Sequence, residues 1–257
     1  MFDALINKSI QPPLAQEASL IGAWLNLASS LVAEAVAAIG FDWLLIDAEH
    51  GPNDVPSVLA QLQAVGAYPA VPVVRIPNHD AALIKRYLDI GAHNLLVPMV
   101  DTAKQATAIV QASRYPTAGI RGAGAGLARA SCWSLNSSYL ESADTSVRVI
   151  AQIETEWGLQ NLKEIMRVDG IDAVFFGPAD IAASKGLLGK ADDFAVQQAV
   201  LEGIETAGAA NMPSGVFSGD KAFMKQCESA GARLLGVTSD VSLLVSNGKR
   251  VLSAYRS

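Results

Sequence analysis

The sequence predicts an α/β fold, a closed (β/α)8 barrel of the TIM type, and three features of the chain support this prediction. Short β-branched or leucine-rich runs alternate with longer alanine-rich amphipathic stretches, as in repeated βα units around a parallel sheet. The chain contains eight such pairs, whereas an open doubly wound sheet usually needs fewer strands. Its 257 residues show no linker or change of composition, so we expect a single domain over residues 1–257.

The alternation also places the individual elements. Strands are predicted at residues 20–25, 43–47, 71–76, 94–97, 147–153, 173–176, 214–217 and 234–237. Helices are predicted at residues 29–39, 55–65, 81–89, 102–113, 157–168, 194–210, 220–230 and 241–256. Gly40, Gly66, Gly91 and Gly231 stand where four of these helices should end in the left-handed conformation that glycine tolerates. Residues 115–144, rich in Gly, Ala and Ser, interrupt the pattern and are predicted to be either a functional loop or disordered.

Composition and charge argue against several classes of protein. The chain has 19 basic and 25 acidic side chains, a net charge of −6 and no block of Lys or Arg, so nucleic acid is not an expected partner. No uncharged apolar run reaches the roughly 18 residues of a membrane span, and the first 16 residues resemble no leader peptide. We therefore expect a soluble, cytoplasmic protein with no membrane partner. Cys132 and Cys227 are too few for a disulfide framework and are interpreted as ordinary thiols.

Polar side chains follow four of the predicted strands, each at the carboxyl end of its strand. In a barrel these ends meet at one mouth, where the side chains that perform the chemistry lie. We therefore expect the four groups to face a single cavity. They are Asp47-Ala48-Glu49-His50 after the second strand, Arg75 at the end of the third, Gln152 to Glu154 through the fifth, and Gly177-Pro178-Ala179-Asp180 after the sixth.

Glu154 and Asp180 are candidate ligands for a divalent cation. Two carboxylates from adjacent strands, completed by a 2-oxo acid and waters, form a minimal octahedral shell for Mg²⁺ or Mn²⁺. The alternative is that both residues cap helices, as acidic residues often do. A lysine that forms a Schiff base would support the same chemistry, but no lysine ends a predicted strand. This absence favours a metal mechanism.

His50 and Arg75 have two interpretations each. His50 follows Asp47 by three residues and either forms an acid–imidazole pair suited to proton transfer near neutral pH, or is a loop histidine that caps or packs. Arg75 ends an apolar run, and a buried guanidinium must find an anion. That anion is either a substrate carboxylate or enolate, or an acidic side chain of the chain itself, such as Asp47 or Asp89.

Six motifs occur in order along nearly the whole chain. They are GFDWLLIDAEH at residues 40–50, PVVR at 72–75, LLVPMV at 95–100, YP with GIRG at 115–122, QIET at 152–155 and GPAD at 177–180. Together they resemble the motifs of the HpcH/HpaI aldolases, the class II pyruvate aldolases that include 4-hydroxy-2-oxoheptanedioate and 2-dehydro-3-deoxyglucarate aldolases. Any one motif alone is a weak indication, whereas six in order are specific.

The resemblance implies a barrel of the phosphoenolpyruvate/pyruvate type, whose last helix is exchanged between subunits of a homohexamer built as a trimer of dimers. It also implies a divalent metal cofactor, either Mg²⁺, Mn²⁺ or Co²⁺. The implied roles are Glu154 and Asp180 as metal ligands, His50 with Asp47 as the acid–base pair, Arg75 beside the ketone oxygen, Gln152 with the backbone of Gly177, Pro178, Ala179 and Asp180 around the oxo-acid carboxylate, Trp24 at the pocket mouth, and Asp89 at a neighbouring subunit's site.

The activity that the resemblance implies is an aldehyde-lyase reaction, in which a 4-hydroxy-2-oxo acid is reversibly cleaved to pyruvate and an aldehyde through a metal-held pyruvate enolate, in the catabolism of aromatic compounds or sugar acids. Two alternatives are a related acyl-CoA lyase of the citrate lyase β or malyl-CoA lyase type, and a non-catalytic barrel that binds 2-oxo acids. The chain departs from the family at PSGVF, residues 213–217, and at AGAGLA, residues 123–128. In the family these positions border the aldehyde half of the pocket, so the aldehyde remains open.

Overall fold

Eight parallel strands close into a barrel in the computed structural model, which describes residues 8–10 and 18–256. Each strand pairs with the next along the chain, and the last pairs with the first. The strands are β1 (Leu20–Leu25), β2 (Trp43–Asp47), β3 (Val71–Arg75), β4 (Asn94–Val97), β5 (Arg148–Ile153), β6 (Ala173–Phe176), β7 (Ser214–Phe217) and β8 (Leu234–Ser239). The predicted (β/α)8 barrel is confirmed, and no predicted strand end is displaced by more than two residues.

Helices surround the barrel. They are α1 (Ser30–Ala37), α2 (Val55–Gly66), α3 (Ala81–Asp89), α4 (Ala103–Ser113), α5 (Tyr139–Ser146), α6 (Glu156–Gln160), α7 (Leu162–Met166), α8 (Pro178–Ser184), α9 (Phe194–Ala209), α10 (Lys221–Ser229) and α11 (Asp240–Ala254). Many begin at a capping side chain; the carboxylate of Asp54 accepts from the Ser57 N–H, and the Ser57 hydroxyl accepts from the Asp54 N–H. These caps explain why the predicted helices begin within one residue of the observed ones.

Outside residues 115–146, three details of the helices differ from the prediction. The single helix predicted at residues 157–168 is two short helices, α6 and α7, which meet at Asn161, where the side chain donates to the backbone oxygen of Asp101. The sequence does not predict α8, because this helix has only seven residues and begins directly after a strand. Gly66 is the last residue of α2, whereas the other three glycines have the positive φ that was expected of all four.

Aromatic rings fill the interior of the barrel. The ring centroid of Trp24 lies 5.6 Å from that of Trp43, 5.5 Å from Phe175 and 4.5 Å from Phe217. Glycine makes room for them, since a Cβ on Gly22 would lie only 2.2 Å from the Trp43 ring. The interior is therefore a packed core that closes the barrel below its mouth.

A second, larger core lies between the sheet and the helices. Along β2, Leu45 points into the barrel, whereas Leu44 and Ile46 pack outwards in the same cluster as Val58 and Leu62 of α2. This alternation is the period of two that a strand requires. Because both faces of the sheet are packed, the strands hold the residues at their carboxyl ends in fixed positions.

Residues 115–144 form an ordered segment, so of the two alternatives, a functional loop or disorder, the second is wrong. They contain two 3-10 helices, Ala125–Leu127 and Arg129–Ser131, and the start of α5. A small core of their own accounts for this order, and its buried members are Tyr115, Ala125, Ala130, Tyr139 and Ala143. The function of the segment remains a prediction.

The last helix, α11, packs little against its own barrel. Only its first residue, Asp240, is buried, while Leu244 and Leu252 are 65% and 49% exposed. The exchange of this helix between subunits remains a prediction.

Within residues 8–10 and 18–256, no helix is long and apolar enough to cross a bilayer. Both cysteines are buried free thiols.

Candidate active site

Most of the predicted site residues meet at a pocket at the carboxyl ends of the strands. The pocket has a volume of about 710 Å³. Nine predicted residues line it, namely Trp24, Asp47, His50, Arg75, Gln152, Gly177, Pro178, Ala179 and Asp180. The other two, Glu154 and Asp89, are not part of the lining. The sequence analysis gives no role to seven polar residues that also line the pocket, namely Asn26, Asp192, Gln197, Ser218, Asp220, Ser239 and Ser242.

Asp47 and Arg75 form a buried ion pair at the same level of adjacent strands. Their Cα atoms are partners in the register of β2 and β3. Arg75 Nε donates to Asp47 Oδ1 at 2.9 Å, and Nη2 donates to Oδ2 at 2.7 Å. Burial raises the pKa of Asp47, but the bonds and charge of Arg75 outweigh burial and hold this pKa below its usual value. The internal partner considered for Arg75 is therefore present, and it is Asp47 instead of Asp89.

Glu49 holds the other side of the Arg75 guanidinium. Its Oε2 lies 3.0 Å from Nη1 of Arg75. Burial raises the pKa of Glu49, and the positive charges of Arg75 and His50 oppose this only in part. The sequence analysis includes Glu49 in a motif but assigns it no role. All three nitrogens of the guanidinium are thus held by two carboxylates.

Asn26, the first residue after β1, connects Asp47 to the last helix. Its Nδ2 donates to Asp47 Oδ2 at 2.7 Å. Its backbone N–H donates to the carboxylate of Asp240 at 3.0 Å, and the N–H of Leu27 does so at the same distance. Asp240 is 4% exposed and begins α11. Asp240 therefore fixes the loop after β1, and that loop positions the Asp47 carboxylate.

His50 reaches the pocket from the turn after β2. Its backbone N–H donates to Asp47 Oδ1 at 3.3 Å, and the N–H of Glu49 donates to the same oxygen at 3.1 Å. The Asp47 carboxylate is the anchor of this turn, so the bond between the predicted acid and the histidine runs through the histidine backbone. The imidazole belongs to an exposed residue that lines the pocket, where it can contact a ligand or water.

Glu154 lies directly behind the pocket wall and is 1% exposed. Its Oε1 accepts from the Met99 N–H at 2.7 Å, and its Oε2 accepts from Nε2 of Gln152. Burial, together with the negative charges of Glu49 and Asp180, raises the pKa of Glu154 to about 7 despite the bond from Met99. Gln152 Oε1 is buried and has no hydrogen-bond partner within the described part of the chain.

The chemistry of these carboxylates fits a divalent cation. Glu154, Glu49 and Asp180 repel one another, a cation would relieve that repulsion, and oxygen ligands are those that Mg²⁺ and Mn²⁺ prefer. Each carboxylate oxygen accepts more than one bond, so Glu154 keeps acceptor capacity. No group of three or more His, Cys, Asp or Glu side chains is arranged as a metal site within residues 8–10 and 18–256. Two carboxylates with ligand and water oxygens are therefore the donor set to test.

Neither candidate metal ligand is a helix cap. Thr155 caps α6 through its side chain, which accepts from the Gly158 N–H. Gly177 is the N-cap residue of α8, and Asp180 lies within the first turn of that helix. The alternative in which Glu154 and Asp180 cap helices is therefore wrong.

The first turn of α8 forms the wall next to Glu154. A Cβ on Gly177 would lie 2.7 Å from Glu154 Oε2, so glycine is needed for this close approach. The N–H groups of Ala179 and Asp180 lie in the first helical turn, where no intrahelical acceptor exists, and are available to an anion. Pro178 has no N–H, and the Gly177 N–H donates to a strand carbonyl. The backbone part of the predicted carboxylate cradle is thus reduced to two donors, the N–H groups of Ala179 and Asp180.

Trp24 and Asp89 differ most from the expectation. Trp24 is 5% exposed and forms the floor of the pocket instead of its mouth. Asp89 lies outside this pocket, and its Oδ1 accepts from Nη2 of Arg121 at 2.9 Å. Arg121 lies over the ring of Tyr115, 4.5 Å from the ring centroid. In a single chain Asp89 therefore anchors residues 115–144, and its contact with a neighbouring site remains a prediction.

The family model described as HpcH/HpaI aldolase/citrate lyase matches residues 20–247, which include all eight strands. The chain belongs to this family. The resemblance found in the six motifs is confirmed.

Similar HpcH/HpaI proteins are named as aldolases. A hydroxypyruvate/pyruvate aldolase of Deinococcus radiodurans is 47% identical over 92% of this chain and 85% of its own length. A 4-hydroxy-2-oxo-heptane-1,7-dioate aldolase of Salmonella arizonae is 48% identical over 91% of this chain and 89% of its own. The crystal structure of an HpcH/HpaI aldolase/citrate lyase family protein from Burkholderia cenocepacia has a TM-score of 0.92 at 38% identity, over 96% of this chain and 98% of that one. The chain is accordingly a lyase of the aldolase type.

A citrate lyase β subunit of M. tuberculosis is a much more distant structural neighbour. It is 18% identical, with a TM-score of 0.55 over 88% of this chain and 92% of its own. This likeness shows the fold alone. The acyl-CoA lyase alternative therefore gains no support beyond the shared barrel.

Proposed function

We propose that this protein is a class II, divalent-metal-dependent pyruvate aldolase, which reversibly cleaves a 4-hydroxy-2-oxo acid to pyruvate and an aldehyde. The observation that carries the proposal is the convergence of one guanidinium, one imidazole and several carboxylates around a single open pocket. The relatives named hydroxypyruvate/pyruvate aldolase support pyruvate as the donor and add hydroxypyruvate as a second one. The proposed partners are therefore small 2-oxo acids and aldehydes.

Glu154 and Asp180 are the proposed ligands of the cation. Mg²⁺, Mn²⁺ and Co²⁺ are the candidate ions, and oxygen donors in particular suit Mg²⁺ and Mn²⁺. A divalent cation bound there would supply positive charge that stabilises an oxyanion on the 2-oxo acid. The buried Glu154 carboxyl group, with its pKa raised to about 7, must release its proton to bind a cation.

The side chains around the pocket move the proton and stabilise the developing charge. A water or hydroxide organised by His50 and Asp47 takes the proton of the 4-hydroxyl group. The bond between C3 and C4 then breaks, its electron pair moves to C3 and the ketone oxygen, and the aldehyde leaves. Arg75 places a second positive charge beside that oxygen. A proton returned to C3 gives pyruvate.

The remaining predicted residues position the substrate. The N–H groups of Ala179 and Asp180 bind the carboxylate of the 2-oxo acid, since they lie at the positive end of a helix. Gln152 orients Glu154 through the bond from Nε2. Trp24 closes the bottom of the pocket and limits how deeply a substrate enters.

We also propose that the protein is a homo-oligomer, a trimer of dimers, in which α11 is exchanged between subunits. The exposed apolar side chains of α11 support this, because a helix of a soluble domain normally buries such a face. In such an assembly Asp89 lies near a neighbouring subunit's pocket.

Exchange of the pyruvate methyl protons with solvent deuterium tests the proposal without any aldehyde. We expect exchange with Mg²⁺, Mn²⁺ or Co²⁺ supplied, loss of exchange in excess EDTA, and loss in both Glu154→Ala and Asp180→Ala. Glu156→Ala removes an exposed carboxylate two residues from Glu154 and serves as the matched control. Full exchange in EDTA would contradict the metal requirement, and no exchange under any condition would contradict the proposed activity.

Arg75→Ala tests the role of the guanidinium. We expect the rate of methyl exchange to fall by about 10² or more, the scale of one lost charge-stabilising donor. Circular dichroism and thermal unfolding check that the variant remains folded. An unchanged exchange rate in a folded Arg75→Ala protein would remove this residue from the mechanism.

A further inference from the structure

Two loops at the carboxyl ends of the strands meet beside Glu154, the proposed metal ligand. One follows β4 and runs from Pro98 to Thr102, and the other follows β5 and begins at Glu154 itself. The Met99 N–H in the first loop donates to Glu154 Oε1 at 2.7 Å, so the position of the Glu154 carboxylate depends on the path of the loop after β4. A residue that fixes this path also fixes the carboxylate.

Met99 has a backbone conformation that needs support from its surroundings. Its φ is +55°, in the left-handed region that is unfavourable for a residue with a side chain, and the residue is 44% exposed, so side-chain packing does not account for this conformation. Such a conformation persists where the surrounding structure holds the backbone. The N–H of the next residue, Val100, donates to the backbone oxygen of Gln152 at 3.1 Å and supplies part of that support.

Asp101 supplies a further part, because its side chain joins the two loops. Its Oδ1 accepts from the hydroxyl of Thr155, the residue that directly follows Glu154. The loop after β4 therefore contacts the loop after β5 twice, through the bond from Met99 to Glu154 and through the bond from Thr155 to Asp101. Together the two bonds restrain both the Glu154 carboxylate and the backbone that carries it.

The Asp101 carboxylate is itself held in place by bonds and packing. The backbone oxygen of Asp101 accepts from Nδ2 of Asn161 at 2.8 Å, and its N–H donates to Oε1 of Gln105 at 2.9 Å. A Cβ on Gly158 would lie 3.1 Å from Asp101 Oδ1, so the first turn of α6 packs closely against the carboxylate. Asp101 is thus a rigid link between the loop after β4 and the start of α6.

We propose that Asp101 is a positioning residue for the cation that Glu154 binds, and that it acts through its bond from Thr155. Asp101 and Thr155 are not part of the pocket lining, so each acts through other residues and not on the substrate. This inference rests on the proposed metal-dependent function and adds a residue that sets the geometry of the Glu154 ligand. The loss of such an outer hydrogen-bond partner typically lowers metal affinity by roughly 10- to 100-fold.

Isothermal titration calorimetry with Mn²⁺ on the whole protein tests the proposal. Asp101→Ala removes the acceptor for Thr155, and we expect the affinity for Mn²⁺ to fall about tenfold. Asp101→Asn removes the same charge but keeps an oxygen that accepts from Thr155, so the loss should be about threefold or less. Asp80→Ala is the matched control, because it removes an exposed carboxylate that caps α3 and has no bond to either loop, and it should leave the affinity unaltered.

A second measurement separates positioning from a general loss of structure. In Asp101→Ala the rate of pyruvate methyl exchange should need about tenfold more Mn²⁺ to reach half of its maximum, whereas the maximal rate should stay within about twofold. A damaged fold would lower the maximal rate as well.

The Thr155 hydroxyl provides an independent test of the same bond. Thr155→Val should lower the affinity for Mn²⁺, whereas Thr155→Ser keeps a hydroxyl and should retain it. Thr155→Val should add little to the loss in an Asp101→Ala protein, because both substitutions break one bond. This pair also decides the question if Asp101→Ala does not fold.

The outcomes distinguish this inference from the proposed function. If the unaltered protein binds Mn²⁺ and Glu154→Ala does not, but Asp101→Ala binds as tightly as the unaltered protein, the positioning role is wrong while the aldolase function stands. Equal losses in Asp101→Asn and Asp101→Ala would assign the effect to charge and would also overturn the positioning role. If the unaltered protein binds no divalent cation, the proposed metal-dependent function fails, and this inference falls with it.

Discussion

Arg75 keeps a full positive charge in a position that is only 7% exposed. A buried ion pair is stable only where its geometry is good and the remaining hydrogen-bonding groups are satisfied, because two charges lose their hydration. Here each of the three guanidinium nitrogens meets an oxygen of Asp47 or Glu49. Glu154 and Asp180 then add two more carboxylates to the same region. The cluster carries an excess of negative charge, which a bound cation would balance.

Asn26 is a positioning residue in this arrangement, since it acts through Asp47. We expect Asn26→Ala to lower the rate of pyruvate methyl exchange about tenfold, with a smaller change in the KM for pyruvate, because Asp47 loses the amide donor at 2.7 Å and keeps only Arg75 as a side-chain donor. Asn53→Ala is the matched control, as Asn53 donates to the backbone oxygen of Asp47 and leaves its carboxylate alone. Equal losses in the two variants would indicate a general weakening of the turn.

Glu154 makes the stability of the metal-free protein depend on pH. Its pKa is about 7 in the folded protein and near the ordinary 4.5 in an unfolded chain, so between these values the folded state holds more protons. The free energy of unfolding should therefore fall as pH rises from about 5 to 7. Thermal unfolding checks this, with Glu154→Gln expected to flatten the pH dependence and Glu156→Gln to preserve it.

The same titration opposes metal binding. Below pH 7 the cation competes with a proton at Glu154, so the apparent affinity for Mn²⁺ should fall by about tenfold per pH unit. Isothermal titration calorimetry from pH 8 to pH 5.5 measures this apparent affinity for Mn²⁺. An affinity that stays constant across this range would contradict the assignment of Glu154 as a ligand.

At the scale of elements, the glycines of the strands make the aromatic floor possible. A Cβ on Gly236 would lie 2.5 Å from the ring of Trp24, and one on Gly215 would lie 2.5 Å from Phe175. These contacts are far shorter than side chains tolerate, so the small residues and the large rings must occur together. The floor sets the depth of the pocket above it.

Gly22→Ala should destabilise the protein by about 3 kcal/mol or more, because the added Cβ meets the buried Trp43 ring at 2.2 Å and neither strand can move apart. Gly208→Ala is the matched substitution in α9, where no atom lies within 4 Å of the added Cβ. There we expect stabilisation by about 0.5–1 kcal/mol, since alanine favours a helix over glycine. Urea unfolding of both variants provides the comparison.

The strands were predictable because buried parallel strands are continuous apolar runs between turn residues, a pattern that local sequence contains. The short helix α8 was not, because seven residues after Gly177 are too few to show a helical period. The break at Asn161 was also missed, since it depends on a bond to Asp101, which lies 60 residues away. Elements fixed by tertiary contacts leave little local trace.

The site residues were predictable where functional side chains lie at the carboxyl ends of the strands. The same rule, applied to β1, β7 and β8, would also have indicated Asn26, Ser218 and Asp240, which directly follow those strands. Each looks like an ordinary loop or cap residue in the sequence. The partner of Asp89 could not be predicted, because Arg121 is 32 residues distant and buried by a segment without regular pattern.

For the whole molecule, the exposed apolar face of α11 predicts an assembly. Val241, Leu244, Gly248, Leu252 and Tyr255 share one side of this helix at spacings of three or four residues. We expect Leu244→Glu to convert the oligomer to smaller species, because it places a charge in the proposed interface, whereas Ser253→Glu on a polar side should not. Analytical ultracentrifugation distinguishes them, and a monomeric unaltered protein would contradict the proposed oligomer.

Asp240 links the proposed assembly to the catalytic site. Asp240, the first residue of α11, accepts from the backbone of Asn26, and the Asn26 side chain donates to Asp47. If α11 packs on another subunit, contacts with that subunit would therefore influence the position of the Asp47 carboxylate. Turnover per active site should then decline on dilution below the dissociation constant of the oligomer, even though each chain carries its own pocket. The strength of subunit contacts would thereby set the protein concentration at which the enzyme becomes fully competent.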